Sequence, residues 1–98
     1  MTHATKRDGT ALTVTLWGRL DAASCPEIEA AVAQELEGVD DFTVDMAGVA
    51  YVSSMGLRLL LSWQKRMFEQ GAMHVVNVNE DVMALLEETG FTELMDIR

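Results

Sequence analysis

Apolar positions alternate between strand spacing and helix spacing along most of this 98-residue chain. Leu12-Thr-Val-Thr-Leu16 repeats with period two and runs into Trp17-Gly18, a strand followed by a turn. Ser24-Cys-Pro-Glu27 has the form of a capping box, with Pro26 tolerated in the first turn. Ile28, Ala31, Val32 and Leu36 then form a helical stripe that Gly38 ends. Asp41 to Met46 reads as a short buried strand, with Gly48 and Ala50 in the loop that leaves it. A long helix is predicted from Ser54 to about Gln70, before Gly71, and Met73 to Asn77 reads as a third central strand. Asn79 caps a further helix carrying Val82, Leu85 and Leu86, with Glu80 and Asp81 in its first turn and Gly90 at its end. Phe91 to Ile97 is short and fits either a last edge strand or a frayed tail.

This order predicts an α/β fold: a small, mostly parallel or mixed sheet of four to five strands covered by three or more helices. Residues 1–98 suit a single domain with one core, and about the first nine are expected to be partly disordered. No repeat, linker or low-complexity segment interrupts the pattern.

On a wheel of about 100° per residue, Leu57, Leu60, Leu61, Gln64 and Phe68 cluster on one side of the long helix and are expected to face the core. Arg58, Ser62, Lys65, Arg66 and Glu69 lie opposite, with Met55 among them and Leu59 and Trp63 at the margin. An exposed methionine between half-exposed apolar residues suits a partner surface. Arg58, Lys65 and Arg66 also concentrate three of the seven basic residues on that stripe.

The helix begins at Val52-Ser53-Ser54-Met55-Gly56-Leu57. A serine at a helix start caps a backbone N–H, and a phosphoryl group there meets the positive end of the helix dipole. Ser53 and Ser54 are therefore candidates for a cap and for a switch.

Asp45-Met-Ala-Gly-Val-Ala-Tyr-Val-Ser-Ser-Met-Gly-Leu57 resembles the central motif of the STAS domain, the family of bacterial anti-sigma-factor antagonists. Gly18-Arg-Leu-Asp21 resembles the family's early turn. Asn77-Val-Asn79, Val82-Met-Ala-Leu-Leu86 and Thr89-Gly-Phe91 resemble its late helix and the turn after it. The resemblance covers roughly residues 10 to 98. Aligned on Gly56, it implies that Ser54 is the serine phosphorylated by a partner kinase. Ser53 stands where the family has aspartate, and Met55 where it has a second hydroxyl residue. Asp21 matches the family's other acidic position, which would lie near the same surface.

Composition narrows the function further. A net charge of −9 argues against nucleic acid or anionic membrane as a partner. No apolar run approaches the roughly 20 residues that span a bilayer, and the start lacks the hydrophobic segment of a secretory signal. Cys25 is the only cysteine, which fits a reducing cytosol. No glycine-rich phosphate loop follows the first strand, so no nucleotide or other cofactor is expected. The two histidines and one cysteine have no metal-site spacing, and the acidic pairs Asp40-Asp41 and Glu87-Glu88 do not converge. His74 lies within an apolar strand pattern, where it packs or sits at an edge, and intrinsic catalysis is not expected.

The expectation is a cytoplasmic regulator that acts by binding. The resemblance implies an unphosphorylated form that sequesters an anti-sigma factor, itself a serine kinase, and so frees a sigma factor. Phosphorylation of Ser54 would weaken that contact, and a serine phosphatase would restore it. The expected partner surface comprises Ser53, Ser54, Met55, Arg58, Leu59, Ser62 and Asp21, and the oligomeric state is left open. The alternative is a constitutive structural subunit of a larger assembly, such as a STAS-type component of a membrane lipid transporter.

Overall fold

Leu12, Val14 and Leu16 point to one side of strand β2 (Ala11–Leu20) and are buried, whereas Thr13 and Thr15 between them are half-exposed. The computed structural model describes residues 3–98, and the same alternation repeats across its sheet. Leu12 pairs with Phe42 of β3 (Asp41–Val52), and Phe42 with Met73 of β4 (Ala72–Val76). Val14, Val44 and Val75 form the next buried row. The helices cover this apolar face, while Thr13, Thr43 and His74 line the opposite one and stay half-exposed.

The five strands lie in the order β1-β2-β3-β4-β5. β1 (His3–Asp8) runs antiparallel to β2, and the other pairings are parallel, so the sheet is mixed. Helices α1 (Cys25–Glu35), α2 (Ser54–Gln70) and α3 (Glu80–Glu88), with the single turn α4 (Phe91–Leu94), alternate with the strands. The expected architecture is present.

Three details differ from expectation. Residues 3–8, expected to be partly disordered, form an edge strand because their backbone pairs along β2 from His3–Leu16 to Asp8–Ala11. Met1 and Thr2, which share that expectation, lie outside the described residues. Gly48 and Ala50 are not in a loop: β3 continues to Val52 by pairing with an extension of β2, across register shifts at Thr15/Trp17 and Gly18/Arg19. The ambiguous tail resolves into α4 followed by a two-residue strand, β5 (Asp96–Ile97).

The largest correction concerns α2. Its buried residues are Gly56, Leu59, Leu60, Trp63 and Met67, so the helix is turned by about one residue, or about 100°, from the expected phase. Gly56 fixes this phase. A side-chain carbon there would stand 2.7 Å from the Leu20 carbonyl oxygen and 2.8 Å from Val52 Cγ1, so only glycine lets the helix start lie against the strand ends. Trp63 packs edge-on against Phe42, with ring centroids 5.3 Å apart. Leu57, Leu61 and Gln64 move to half-exposed positions, and Phe68 is 84% exposed. Gly71 ends the helix where the Asp40 carbonyl comes too close for any side chain, and Ala72 N–H donates to that carbonyl at 2.9 Å.

Candidate functional site

The site is assembled where β2 and β3 end side by side. Leu20 pairs with Val52, and Ser53 N–H donates to the Leu20 carbonyl at 2.9 Å. Each strand then turns into a helix, so the start of α2 and the turn before α1 occupy the same end of the sheet.

At the start of α2 the two serines divide their roles. Ser53 has extended backbone angles and is the N-cap; its Oγ accepts the Met55 N–H at 3.2 Å. Ser54 is the first helical residue, exposed, and its hydroxyl forms no hydrogen bond among the described residues. It sits at the positive end of a seventeen-residue helix. Arg58 is exposed one turn further along the same outer face.

Before α1, Asp21 holds the turn, and the side-chain cap expected of Ser24 does not form. Asp21 Oδ1 accepts the N–H groups of Ala23 at 3.0 Å and Ser24 at 3.2 Å. Ser24 Oγ donates instead to the Arg19 carbonyl at 2.7 Å and accepts the Asp21 N–H at 3.1 Å, so no capping box forms with Glu27. The Ser24 N–H holds the Asp21 carboxyl below its ordinary range, helped by Ala23 N–H and by Arg19, whose Nε lies 3.4 Å from Oδ2. Asp21 is therefore a fixed negative charge at this end of the sheet.

Two residues join this surface that the spacing of the sequence did not identify. The Arg19 guanidinium lies 4.3 Å from the centre of the exposed Tyr51 ring, a cation–π contact between paired residues near the ends of β2 and β3. Arg19 falls inside the Gly18-Arg-Leu-Asp21 motif, but its pairing with Tyr51 depends on the strand bulge, which leaves no mark on apolar periodicity.

A shallow pocket of about 110 Å³ opens between α1 and the first turns of α2, lined by Cys25, Pro26, Glu29, Met55, Arg58 and Leu59. Met55 is half-buried and packs against the core from this pocket, so it is less exposed than expected. Leu59 is 2% exposed, which removes it from the expected contact surface: the turned helix points it at the core, and only its edge reaches the pocket. Burial pushes the Cys25 thiol up, with the Asp21 and Glu29 carboxylates adding to the effect. Ser62 is exposed but lies eight residues beyond Ser54, about 12 Å along the helix, at the margin of the surface.

The geometry therefore brings together Ser53, Ser54, Met55, Arg58 and Asp21, adds Arg19 and Tyr51, and withdraws Leu59. No helix among the described residues is long and apolar enough to cross a membrane.

This arrangement has recognisable relatives. The chain is 31% identical over 86 residues to the anti-sigma-B factor antagonist of Staphylococcus epidermidis, an alignment covering 86% of this chain and 80% of that protein. Its fold is similar to that of an anti-sigma factor antagonist from Mycobacterium paratuberculosis, with TM-score 0.88 and 18% identity over 98% of this chain and 83% of the other. It is similar also to the anti-sigma factor antagonist SpoIIAA in its unphosphorylated form, with TM-score 0.84 and 16% identity over 98% and 87% of the two chains. The match to the family described as "Mlab, STAS domain" extends over residues 3–96, and the chain belongs to the STAS domain family.

Proposed function

We propose that this chain is an anti-sigma-factor antagonist whose binding surface is switched by phosphorylation of Ser54. One observation carries the reading. Because Ser53 caps α2, the Ser54 hydroxyl is exposed and unengaged at the positive end of the helix. The unphosphorylated surface, with Ser54, Met55, Arg58 and Asp21 at its centre, binds an anti-sigma factor that is also a serine kinase, and this releases a sigma factor. A phosphoryl group at Ser54 adds roughly −1.5 to −2 charges, which the helix start accepts but a closely packed partner must desolvate and oppose. A serine phosphatase returns the protein to its binding form. These steps need no chemistry from the chain itself beyond an accessible hydroxyl, and they place the protein in the cytoplasm.

Calorimetric titration of the wild type, Ser54→Ala and Ser54→Asp against the anti-sigma partner tests this reading. Ser54→Ala should bind as the wild type does, and Ser54→Asp should bind more weakly. Equal affinities for all three would leave Ser54 a structural residue.

A second reading is favoured by the residues that flank Ser54. Ser53 and Met55 stand where the family has an aspartate and a second hydroxyl residue, and Met55 borders an apolar pocket. A permanent subunit of a multiprotein assembly, such as a membrane lipid transporter, would use that pocket as a fixed docking point. Its complex would be insensitive to ATP, whereas the switch reading requires ATP to weaken it.

A further inference from the structure

His74 stands on the face of the sheet that the helices leave open, and there it joins three strands. It pairs with Thr43 of β3 on one side and with Asp96 of β5 on the other. Its ring is engaged at both nitrogens. Nδ1 lies 2.7 Å from Asp96 Oδ2, and Nε2 lies 3.2 Å from Oδ1 of Asp41, the first residue of β3. The proposed switch at Ser54 makes no use of this cluster.

The chemistry of imidazole makes the arrangement depend on protonation. An imidazolium donates from both nitrogens and satisfies both carboxylates. A neutral ring carries one N–H, so in either tautomer one lone pair faces a carboxylate oxygen at hydrogen-bonding distance. With Nδ1 protonated the repulsion falls on Asp41; with Nε2 protonated it falls on Asp96. Arg98, 2.8 Å from Asp96 Oδ2, is the one other cation that contacts either carboxylate among the described residues. β4 brings no charged side chain besides His74. Along the same row of the sheet the next charge is Lys6 of β1, three strand spacings or about 14 Å away. Asp45, on the next row of β3, is engaged by the Ala47 N–H at 3.0 Å and the Asn77 amide at 3.1 Å.

β5 has little else to hold it. It is two residues long, and Ile97 is only half-buried. Just beyond it, Arg98 N–H donates to the Val75 carbonyl at 2.8 Å and Val78 N–H donates to the Arg98 carbonyl at 3.2 Å. A side-chain contact that turns from attraction to repulsion counts for more here than in a long central strand.

We propose that His74 is a protonation-dependent staple: as an imidazolium it bridges Asp41 of β3 to Asp96 of β5 and closes the sheet, and as a neutral ring it loosens β5 and uncovers the edge of β4. The staple holds when the ring is protonated and is lost as pH rises through the imidazole range. Asp96 remains a carboxylate throughout, because Arg98 first and His74 second hold it down to about 2.

The test is NMR of the isotope-labelled chain between about pH 5 and about pH 8, the range in which imidazoles titrate. The His74 ring nitrogens should pass from two protonated to one. In step with them, the Arg98 and Val78 amides should lose protection against exchange, relative to their intrinsic rates. His74→Gln should lose this pH response, since its amide does not titrate and only His3 remains as an imidazole. Asp41→Asn should hold β5 across the whole window. Its amide donates to Nε2 while Nδ1–H donates to Asp96, so the neutral ring is satisfied. The His74 and Asp41 side chains are 30% and 54% exposed, so neither variant disturbs the core. Four results would overturn the proposal: a ring that keeps one protonation state throughout, amides that ignore a titrating ring, an undiminished response in His74→Gln, or an Asp41→Asn variant as pH-sensitive as the wild type.

Discussion

Ser53 Oγ accepts the backbone N–H of Met55 at 3.2 Å, the bond that starts α2. Capping therefore falls on Ser53, and the proposed switch leaves signalling to Ser54. Replacing an N-cap serine by alanine costs about 0.5–2 kcal/mol. Exposed substitutions away from such features stay within about 0.5 kcal/mol. Urea denaturation should show Ser53→Ala destabilised by about 1 kcal/mol and Ser54→Ala unchanged. The reverse order would mean that Ser54 is the cap.

The phase of α2 gives a second contrast. Trp63 is 3% exposed and packs edge-on against Phe42, whereas Phe68 is 84% exposed on the same helix. Trp63→Ala should cost about 3–5 kcal/mol and leave a cavity. Phe68→Ser should change stability by no more than about 0.5 kcal/mol. Thermal melts of the two variants decide between the observed phase and one turned by a residue.

That contrast also shows what the sequence could reveal. The element order from β2 to α3, the bounds of α2 and the Asn79 cap were all legible, because each rests on local spacing or on a single side chain. Asn79 Oδ1 does accept the Val82 N–H, at 2.8 Å. The phase of α2 was not legible. Leu57 and Leu59 to Leu61 offer two nearly equal apolar arcs, and the bulk of Phe68 favours the wrong one. What decides is a tertiary contact, the close approach of Gly56 to Leu20 and Val52, and a glycine carries no hydrophobic signal. The same lack hid the Arg19–Tyr51 contact, which exists only because bulges shift the β2–β3 register. Ser54 and Asp21 were singled out because they belong to short motifs; Leu59 was expected at the surface because its burial follows from the phase.

At the C-terminal edge, Asp96 ties β5 to the sheet. Its carboxyl accepts from Arg98 at 2.8 Å and meets His74 Nδ1 at 2.7 Å. Arg98 first and His74 second hold it down to about 2 from its ordinary 3.8. A carboxyl lowered on folding stabilises the fold above its unfolded value and loses that contribution as pH falls toward the folded one. Hydrogen exchange at Ile97 and Arg98 should therefore accelerate, relative to the intrinsic rate, as pH drops from about 4 to about 2. In Asp96→Asn the relative rate should already be raised at pH 7 and should not change across that window. Identical pH profiles for the two proteins would show that the carboxylate does not hold β5.

The central claim is that Ser54, and not the capping Ser53, receives the phosphate. Incubation with the cognate anti-sigma kinase and ATP, followed by peptide mass spectrometry, tests it most directly. The account predicts one phosphate, on Ser54, and none on a Ser54→Ala variant. Phosphate on Ser53, undiminished labelling of Ser54→Ala, or no labelling of the wild type would contradict it.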